Sequence, residues 1–188
     1  SGCRNIGYAP ESGSERVLTL IKKKVKLSRM TKSLKSSIKS GMNVKINIMM
    51  GFPGETHKDI FITFWYLIKM SFVGVHDVSM GVFAPYPGSE IYEDLVKKGK
   101  INHDEKYWRE LSYVDITFSK SYCENISSKN LLYYNWLGYF IFYISNYIFR
   151  PIRIYRTLKN LIINKHESKG EKALARFVID LKSVVFKS

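Results

Sequence analysis

Cysteine is scarce in this sequence: its 188 residues include only two, Cys3 and Cys123, which lie 120 positions apart. A disulfide framework, a four-cysteine zinc site and a self-contained iron–sulfur site all require more thiols. The four histidines do not supply the missing ligands, because none of them stands at a metal-ligand spacing. We therefore predict that the chain holds no metal through its own residues.

Acidic residues are also few: 16 Asp and Glu face 30 Lys and Arg, which gives a formal net charge of +14. The excess is spread along the chain, since residues 1–100 carry +8 and residues 101–188 carry +6. Such a field attracts phosphates, nucleic acid or an anionic membrane, although solvated lysines without any ligand give the same balance. With 45% apolar residues, the chain has material for a real core and is not disordered throughout.

Residues 1–100 alternate between strand and helix patterns. Apolar residues at period two predict strands over 44–50 and 78–84, and a short strand is predicted over 4–9. Helices are predicted between them, with Ser12, Thr56 and Ser89 as N-terminal caps and Gly41 after a helix end. Helices that connect successive strands imply a parallel sheet. Because three strands are few for such a sheet, we expect this α/β region to be half of a larger domain.

The composition changes near residue 101, so we divide the chain into segments 1–100 and 101–188. Residues 130–149 contain no Asp, Glu, Lys or Arg and nine aromatic side chains, and several basic residues follow them. Three interpretations stay open: a helix packed on the protein, a helix at an anionic membrane interface, and a membrane span. Residues 164–172 are predicted to be a loop and residues 173–186 an amphipathic helix.

Three turn segments follow the three predicted strands: Glu11 to Ser14, Gly51 to Thr56, and Phe83 to Gly88. The carboxyl ends of parallel strands are the edge where ligands bind. A carboxylate and a hydroxyl in the first turn, and glycines beside a phenyl ring in the second, suit a ligand with polar groups and a flat ring. The structural alternative is that the first turn only caps a helix and the second is a simple tight turn.

These turns, together with Gly2-Cys3-Arg4 and in this order, resemble the C-terminal half of the radical S-adenosylmethionine (SAM) core. The most similar subgroup carries an N-terminal cobalamin-binding domain. The resemblance covers residues 1–100 and implies that the strands are the fourth, fifth and sixth of a partial (β/α)6 barrel. It also implies contacts to the adenosyl or methionyl part of SAM, or to the substrate beside it. Those contacts are Glu11, Ser12, Met50, Gly51, Phe52, Pro53, Phe83, Pro85 and Tyr86.

The sequence departs from this family in one decisive respect. The Cys-x-x-x-Cys-x-x-Cys loop that holds the family's 4Fe–4S cluster is missing, and so is the glycine-rich segment that grips the SAM amine. The resemblance therefore implies a truncated chain that contains no catalytic residue itself. The cluster ligands, the first half of the core and any cobalamin domain would lie outside it. Glu55 stands one place later than in the broader family's pattern, which puts a direct role for it in doubt.

The expected function is that of a radical SAM enzyme fragment. It would bind the adenosyl group and line the pocket for 5′-deoxyadenosyl-radical chemistry, such as cobalamin-dependent methyl transfer or rearrangement. The expected partners are a small-molecule or lipid-like substrate and the missing N-terminal half. The alternative is a non-catalytic basic and aromatic module on an anionic membrane; nucleic acid is disfavoured, because no dedicated RNA-binding domain is present. The first four residues lack the features of a secretory signal, which predicts a cytoplasmic protein, peripheral at the membrane under the alternative.

Overall fold

The computed structural model describes residues 2–111, 120–163 and 176. These residues form three strands and seven helices. In chain order they are β1 (Asn5–Glu11), α1 (Glu15–Leu20), α2 (Leu27–Lys39), β2 (Asn43–Met50), α3 (His57–Val73), β3 (Asp77–Val82), α4 (Glu90–Lys97), α5 (Glu105–Glu110), α6 (Ser128–Phe149) and α7 (Ile152–Ile162).

The three strands form one parallel sheet in the order β1-β2-β3. Ile46 at the centre of β2 pairs with Tyr8 of β1 on one side and with Val78 of β3 on the other. Two helices, α1 and α2, connect β1 to β2, and α3 connects β2 to β3. The predicted α/β class and parallel sheet are confirmed; the described residues form this small sheet and not a closed barrel.

The two faces of the sheet differ in chemistry, because every second residue of β2 is buried. On one face, strand residues such as Val44 and Ile48 join a core with Leu34 of α2 and Leu67 of α3. We call the opposite side the second face. By strand register it includes Gly7, Lys45, Asn47, Met49, Ser79 and Gly81, with Asn5, Asn43 and Asp77 at the amino ends of the strands.

The aromatic helix α6 packs beside α3 and against β3. The hydroxyl of Tyr139 accepts a hydrogen bond from the Met80 amide over 3.0 Å, which anchors α6 to the last strand. Gly138 lies close to β3 at this crossing, so a Cβ there would displace the end of the Met80 side chain. The structure therefore contains the packed helix among the three interpretations of residues 130–149, and the interfacial helix stays a prediction about the exposed side of α6. Among the described helices, none has the length and apolar character needed to cross a bilayer.

The predicted helix caps are confirmed with one exception. Thr56 forms a capping box with Asp59, the Ser89 hydroxyl accepts from the amide of Tyr92, and a glycine with positive φ follows α2 as expected. The prediction that Ser12 caps the first helix is wrong, because β1 continues to Glu11 and delays the start of α1. Ser14 takes that role and accepts from the amide of Val17.

Two further predictions concern residues near the C-terminus. The loop over 164–172 lies outside the described residues. The amphipathic helix over 173–186 also lies outside them, except at position 176.

Candidate cofactor-binding edge

The second and third turns meet directly at the carboxyl edge of the sheet. The amide of Phe83 donates to the carbonyl of Met50 over 2.7 Å, which continues the pairing of β2 and β3 into the turns. The rings of Phe52 and Phe83 then lie 4.9 Å apart. Both rings are buried in an aromatic cluster with Tyr92 and Tyr107. The pair therefore forms an apolar layer at this edge.

The first turn is bound to the start of α3 by hydrogen bonds. The hydroxyls of Ser12 and Thr63 lie 3.1 Å apart, and the amide of Gly13 donates to the Thr63 hydroxyl over 3.1 Å. Ser12 is fully buried, so its hydroxyl serves the protein's own packing. Glu11 keeps partial exposure, adopts a positive φ of 66° that is unusual for a non-glycine residue, and pairs with Lys23 over 3.0 Å. Glu11 is thus the member of this turn that a ligand can reach.

A buried carboxylate determines the shape of the second turn. Glu55 is fully buried, and its Oε2 accepts from the amides of Gly51 and Phe52 over 2.6 and 3.2 Å. Its Oε1 has no hydrogen-bond partner in the described part of the chain. Burial raises the pKa of Glu55 to about 7, although the two amide hydrogen bonds oppose that rise. Because these amides already bind Glu55, the turn offers a ligand carbonyls and not N–H groups.

We expect Glu55 to make the chain less stable as the pH rises from about 4.5 to about 7. Over this range the folded state keeps the proton, whereas the unfolded chain, with its ordinary pKa of 4.5, has released it. The contribution is fully present at low pH and is lost through pH 7; it amounts to on the order of 3 kcal/mol. A Glu55→Gln variant cannot ionise at position 55. Urea denaturation across this pH range should therefore show no such decrease in its free energy of unfolding.

His76 acts in the opposite direction and must be separated from Glu55. Burial, followed by the charges of Arg153, Arg156 and Arg150, lowers the pKa of His76 to about 4. Its stabilising contribution is therefore lost as the pH falls below its ordinary pKa of 6.5. The parent and the Glu55→Gln variant both contain His76. The difference between their free energies of unfolding at each pH therefore reports Glu55 alone. Parallel curves for the two proteins would contradict the prediction.

The third turn is closed from above by helix α5. The carbonyl of Pro85, a buried residue, accepts from the hydroxyl of Tyr107 over 2.9 Å. Tyr86 is 49% exposed and donates its hydroxyl to the carbonyl of Leu111 over 3.0 Å. Tyr86 is therefore the ring of this turn that solvent, or a ligand, can contact.

The nine predicted contact residues divide by exposure. Glu11, Pro53 and Tyr86 are at least partly exposed. The other six are buried: Ser12, Met50, Gly51, Phe52, Phe83 and Pro85. Met50 lies on the helix-covered face, so its neighbour Met49 is the methionine of β2 that belongs to the second face.

Sequence reasoning missed the polar side chains of the second face. Asn47 lies at the centre of β2 and is half-buried, whereas Ser79, level with it on β3, is only 3% exposed. The signal was available, because the residues between the buried positions of a period-two strand must point to the other side. Gly81 adds space there, since no atom lies within 4 Å of the place its Cβ would take.

The residues present fit an adenosyl group in part and an iron–sulfur cluster not at all. The amide of Asn47, the carboxylate of Glu11 and the space at Gly81 suit a ligand with ribose and amine groups. The glycines of the turns are different: a Cβ at Gly51 would meet Leu131, so protein and not ligand fills that position. Among the described residues there is no group of three or more metal-ligating side chains. The two cysteines also differ in environment, because Cys3 is exposed and Cys123 is buried.

No protein-family model matches this chain. Two curated proteins from archaea are similar to it. One is the uncharacterized methyltransferase PH0819 of Pyrococcus horikoshii, 24% identical over 114 residues, or 61% of this chain. The other is the uncharacterized protein MJ0966 of Methanocaldococcus jannaschii, 33% identical over 109 residues, or 55% of this chain. The matched part is 24% of each relative, so the chain spans about a quarter of their length.

Proposed function

We propose that the chain forms one side of the catalytic core of a radical SAM enzyme and borders the adenosyl group and the substrate. The observation that carries the proposal is the difference between the two faces of the sheet. A parallel sheet buried between two helix layers is apolar on both faces. Here the second face instead carries Lys45 and Asn47 with two glycines, while Ser79 on the same face is buried. That alternation suits the wall of a barrel whose interior receives a polar ligand.

The topology supports the same proposal. The strands follow one another in sequence order, and both α2 and α3 contribute to the core on one face of the sheet. Successive strands with helices on a single side are the building plan of a (β/α) barrel wall, whose ligands bind at the carboxyl edge. In a partial (β/α)6 barrel these would be the fourth to sixth strands, and the three turns would lie on the rim of the site.

The chain's own residues would position the reactants. Radical chemistry at a 5′-deoxyadenosyl group is what the bound cofactors would supply. Asn47 and Glu11 would hold polar groups of the adenosyl or methionyl part, and the Phe52–Phe83 pair would exclude water beneath them. Glu55 would act as a positioning residue, because it fixes the second turn from within. Cluster ligation is not assigned to this chain, since its two cysteines cannot supply three thiolates.

Analysis of the complete reading frame tests the proposal most directly. We expect it to contain a Cys-x-x-x-Cys-x-x-Cys segment before this region; a complete frame without one would overturn the proposal. The complete protein, prepared without oxygen and given iron, sulfide and a reductant, should bind SAM and release 5′-deoxyadenosine. Asn47→Ala should weaken SAM binding about tenfold in equilibrium dialysis, equivalent to about 1.4 kcal/mol. Asn130→Ala, at an exposed position on α6, is the control and should bind normally.

Methyl transfer is the reaction class that we favour within this proposal. The support is the printed name of the Pyrococcus horikoshii relative, which calls that protein a methyltransferase. With methyl-labelled SAM, label should then enter the substrate, and added cobalamin should raise the rate if the cobalamin subgroup is correct. Release of 5′-deoxyadenosine without transfer of label would be consistent with a radical SAM enzyme, but it would contradict the proposal of methyl transfer.

A further inference from the structure

Helix α7 presents its apolar side outward. Among the positions of α7 whose side chains the structure describes, the buried ones are polar: Thr157 and Asn160 are 8% and 5% exposed. Arg153 donates to the carbonyls of Gly74 and Val75 over 2.8 Å each. The exposed large apolar residues of the helix are Ile152, Ile154, Tyr155 and Leu158, at 46 to 74%. A helix on a water-soluble surface has the reverse orientation. The face of α7 therefore suits a non-aqueous environment.

Helix α6 also exposes apolar residues, although its inner side is mixed. Leu131 and Phe142 are buried there in the hydrophobic core, beside the buried Asn135, Gly138 and Asn146. Its exposed stripe recurs every three or four residues, and consists of Tyr133, Trp136, Phe140, Ile144 and Ile148. At 1.5 Å per residue this stripe is roughly 22 Å long. It contains no charged residue along its length.

Helix α3 extends this surface sideways. Its residues Phe61, Trp65 and Phe72 are 57 to 68% exposed. The buried side of the same helix holds apolar core residues such as Ile60 and Leu67 beside polar ones such as Thr63. Ring contacts join α3 to α6 near both ends: Phe61 lies 6.2 Å from Tyr134, and Phe72 lies 5.4 Å from Phe149. The two helices thus run side by side in the same direction. Within the described residues of α3, α6 and α7, fourteen large apolar side chains are at least 40% exposed.

Cations outnumber carboxylates around this surface, and Glu15 is the acidic residue that lines its groove beside Ile62 and Trp65 in the described part of the chain. Residues 128–163 contain five basic residues and no acidic one: Lys129, Arg150, Arg153, Arg156 and Lys159. On α3, the ammonium of Lys69 lies 5.9 Å from the ring centre of Trp65. Trp and Tyr beside exposed cations are the combination that the headgroup region of an anionic bilayer favours. Apolar patches beyond a few hundred Å² on a protein surface mark sites of interaction.

We propose that α3, α6 and α7 form a docking surface for an anionic lipid bilayer. The helices would lie in the plane of the interface, with the aromatic stripe among the headgroups and acyl chain ends. The exposed Lys69, Lys129 and Lys159 would lie at the phosphates, whereas Arg150 and Arg153 donate to backbone carbonyls of the protein. The proposal does not depend on the radical SAM assignment, because it uses no residue of the carboxyl edge.

Vesicle co-sedimentation of the full chain tests this surface. Phosphatidylcholine vesicles with about one third phosphatidylserine should bind the protein at about 0.05 M salt, and binding should fall at about 0.5 M salt. The double variant Trp136→Gln, Phe140→Gln should bind about tenfold more weakly. Trp108→Gln is the matched control, because Trp108 is 54% exposed but lies on α5. Lys129→Glu with Lys159→Glu should also weaken binding, whereas Lys97→Glu, on exposed α4, should not.

A fluorescence measurement reports the depth of insertion. With Trp65 and Trp108 both replaced by Phe, Trp136 is the one remaining tryptophan. Its emission should shift to shorter wavelength on vesicle addition and be quenched by brominated acyl chains. Far-UV circular dichroism confirms that each variant is folded. Folded protein that ignores anionic vesicles at low salt would overturn the proposal, as would equal losses in patch and control variants. If patch variants instead abolish self-association in light scattering without any lipid binding, a second copy covers the surface and the proposal is wrong.

Discussion

Replacing Gly13 by alanine should lower the free energy of unfolding by about 3 kcal/mol, the upper range for overpacking in a filled site. A Cβ at this position would lie 2.5 Å from the Cβ of Tyr66 and 2.8 Å from the Cα of Thr63. Both atoms belong to the body of α3, so neither can move aside as a flexible side chain would. The new methyl group would separate the first turn from α3. It would also strain the hydrogen bond from the Gly13 amide to Thr63.

Gly7→Ala is the control for this substitution. Gly7 lies in the same strand region, and a Cβ there would have no atom within 4 Å. The free energy of unfolding of the Gly7→Ala variant should stay within about 0.5 kcal/mol of the parent value, as for an unhindered substitution. Urea denaturation followed by far-UV circular dichroism measures both variants. Equal effects of the two substitutions would show that the first turn does not pack on α3 as described.

Replacing Asp59 by asparagine should cost about 3 kcal/mol, because it leaves buried donors without their charged acceptor. Asp59 is 3% exposed. Its oxygens accept from the Ser14 hydroxyl over 2.7 Å, from the Thr56 amide over 2.9 Å, and from the guanidinium of Arg16. One carboxylate thus joins the first turn, α1 and the start of α3. Asparagine can replace only one of its two acceptor oxygens.

The pH dependence of this contribution has the opposite sign to that of Glu55. Burial would raise the pKa of Asp59, but hydrogen bonds from Arg16, Thr56 and Ser14 outweigh it and hold that pKa well below its usual value of 3.8. The stabilisation is therefore present above about pH 4 and is lost in acid. The parent and the Asp59→Asn variant should converge in urea midpoint as the pH is lowered towards 2.

Asp94→Asn is the matched control for Asp59. Asp94 also binds a cation, Lys98, over 2.6 Å, but this pair is exposed on the surface of α4. Exposed pairs of this kind contribute little, so we expect no measurable change. A loss for Asp94→Asn as large as that for Asp59→Asn would indicate that charge alone, and not the buried network, determines the effect.

Much of the fold could be predicted because it depends on local patterns. Period-two apolar residues in β2 and the Thr56–Asp59 capping box both depend on neighbours within a few positions. The position of Ser12 could not be predicted in this way. Its partner Thr63 is 51 positions distant, and sequence alone gives a buried serine and a capping serine the same appearance.

The candidate site was harder to predict than the fold, for the same reason. A glycine beside a phenylalanine suggests a place for a flat ligand. At Gly51, however, the space is taken by Leu131, a residue far from it in sequence. The carboxylate of Glu55 could be noticed in sequence, but its burial and its bonds to Gly51 and Phe52 depend on how the turn closes. The orientation of α6 and α7 could not be predicted from the sequence either, because an apolar stripe on a helix can face the core or the surface.

The link between Gly51 and Leu131 constrains how this protein can be re-engineered. The second turn is held from behind by the helical segment: Leu131 occupies the space beside Gly51, and Cys123 and Asn125 both donate to the carbonyl of Glu55. A chimera that grafts these strands onto a foreign helical segment would lose all three supports together. Recombination at residue 100 would therefore separate the second turn from the residues that support it, however clearly the composition changes there.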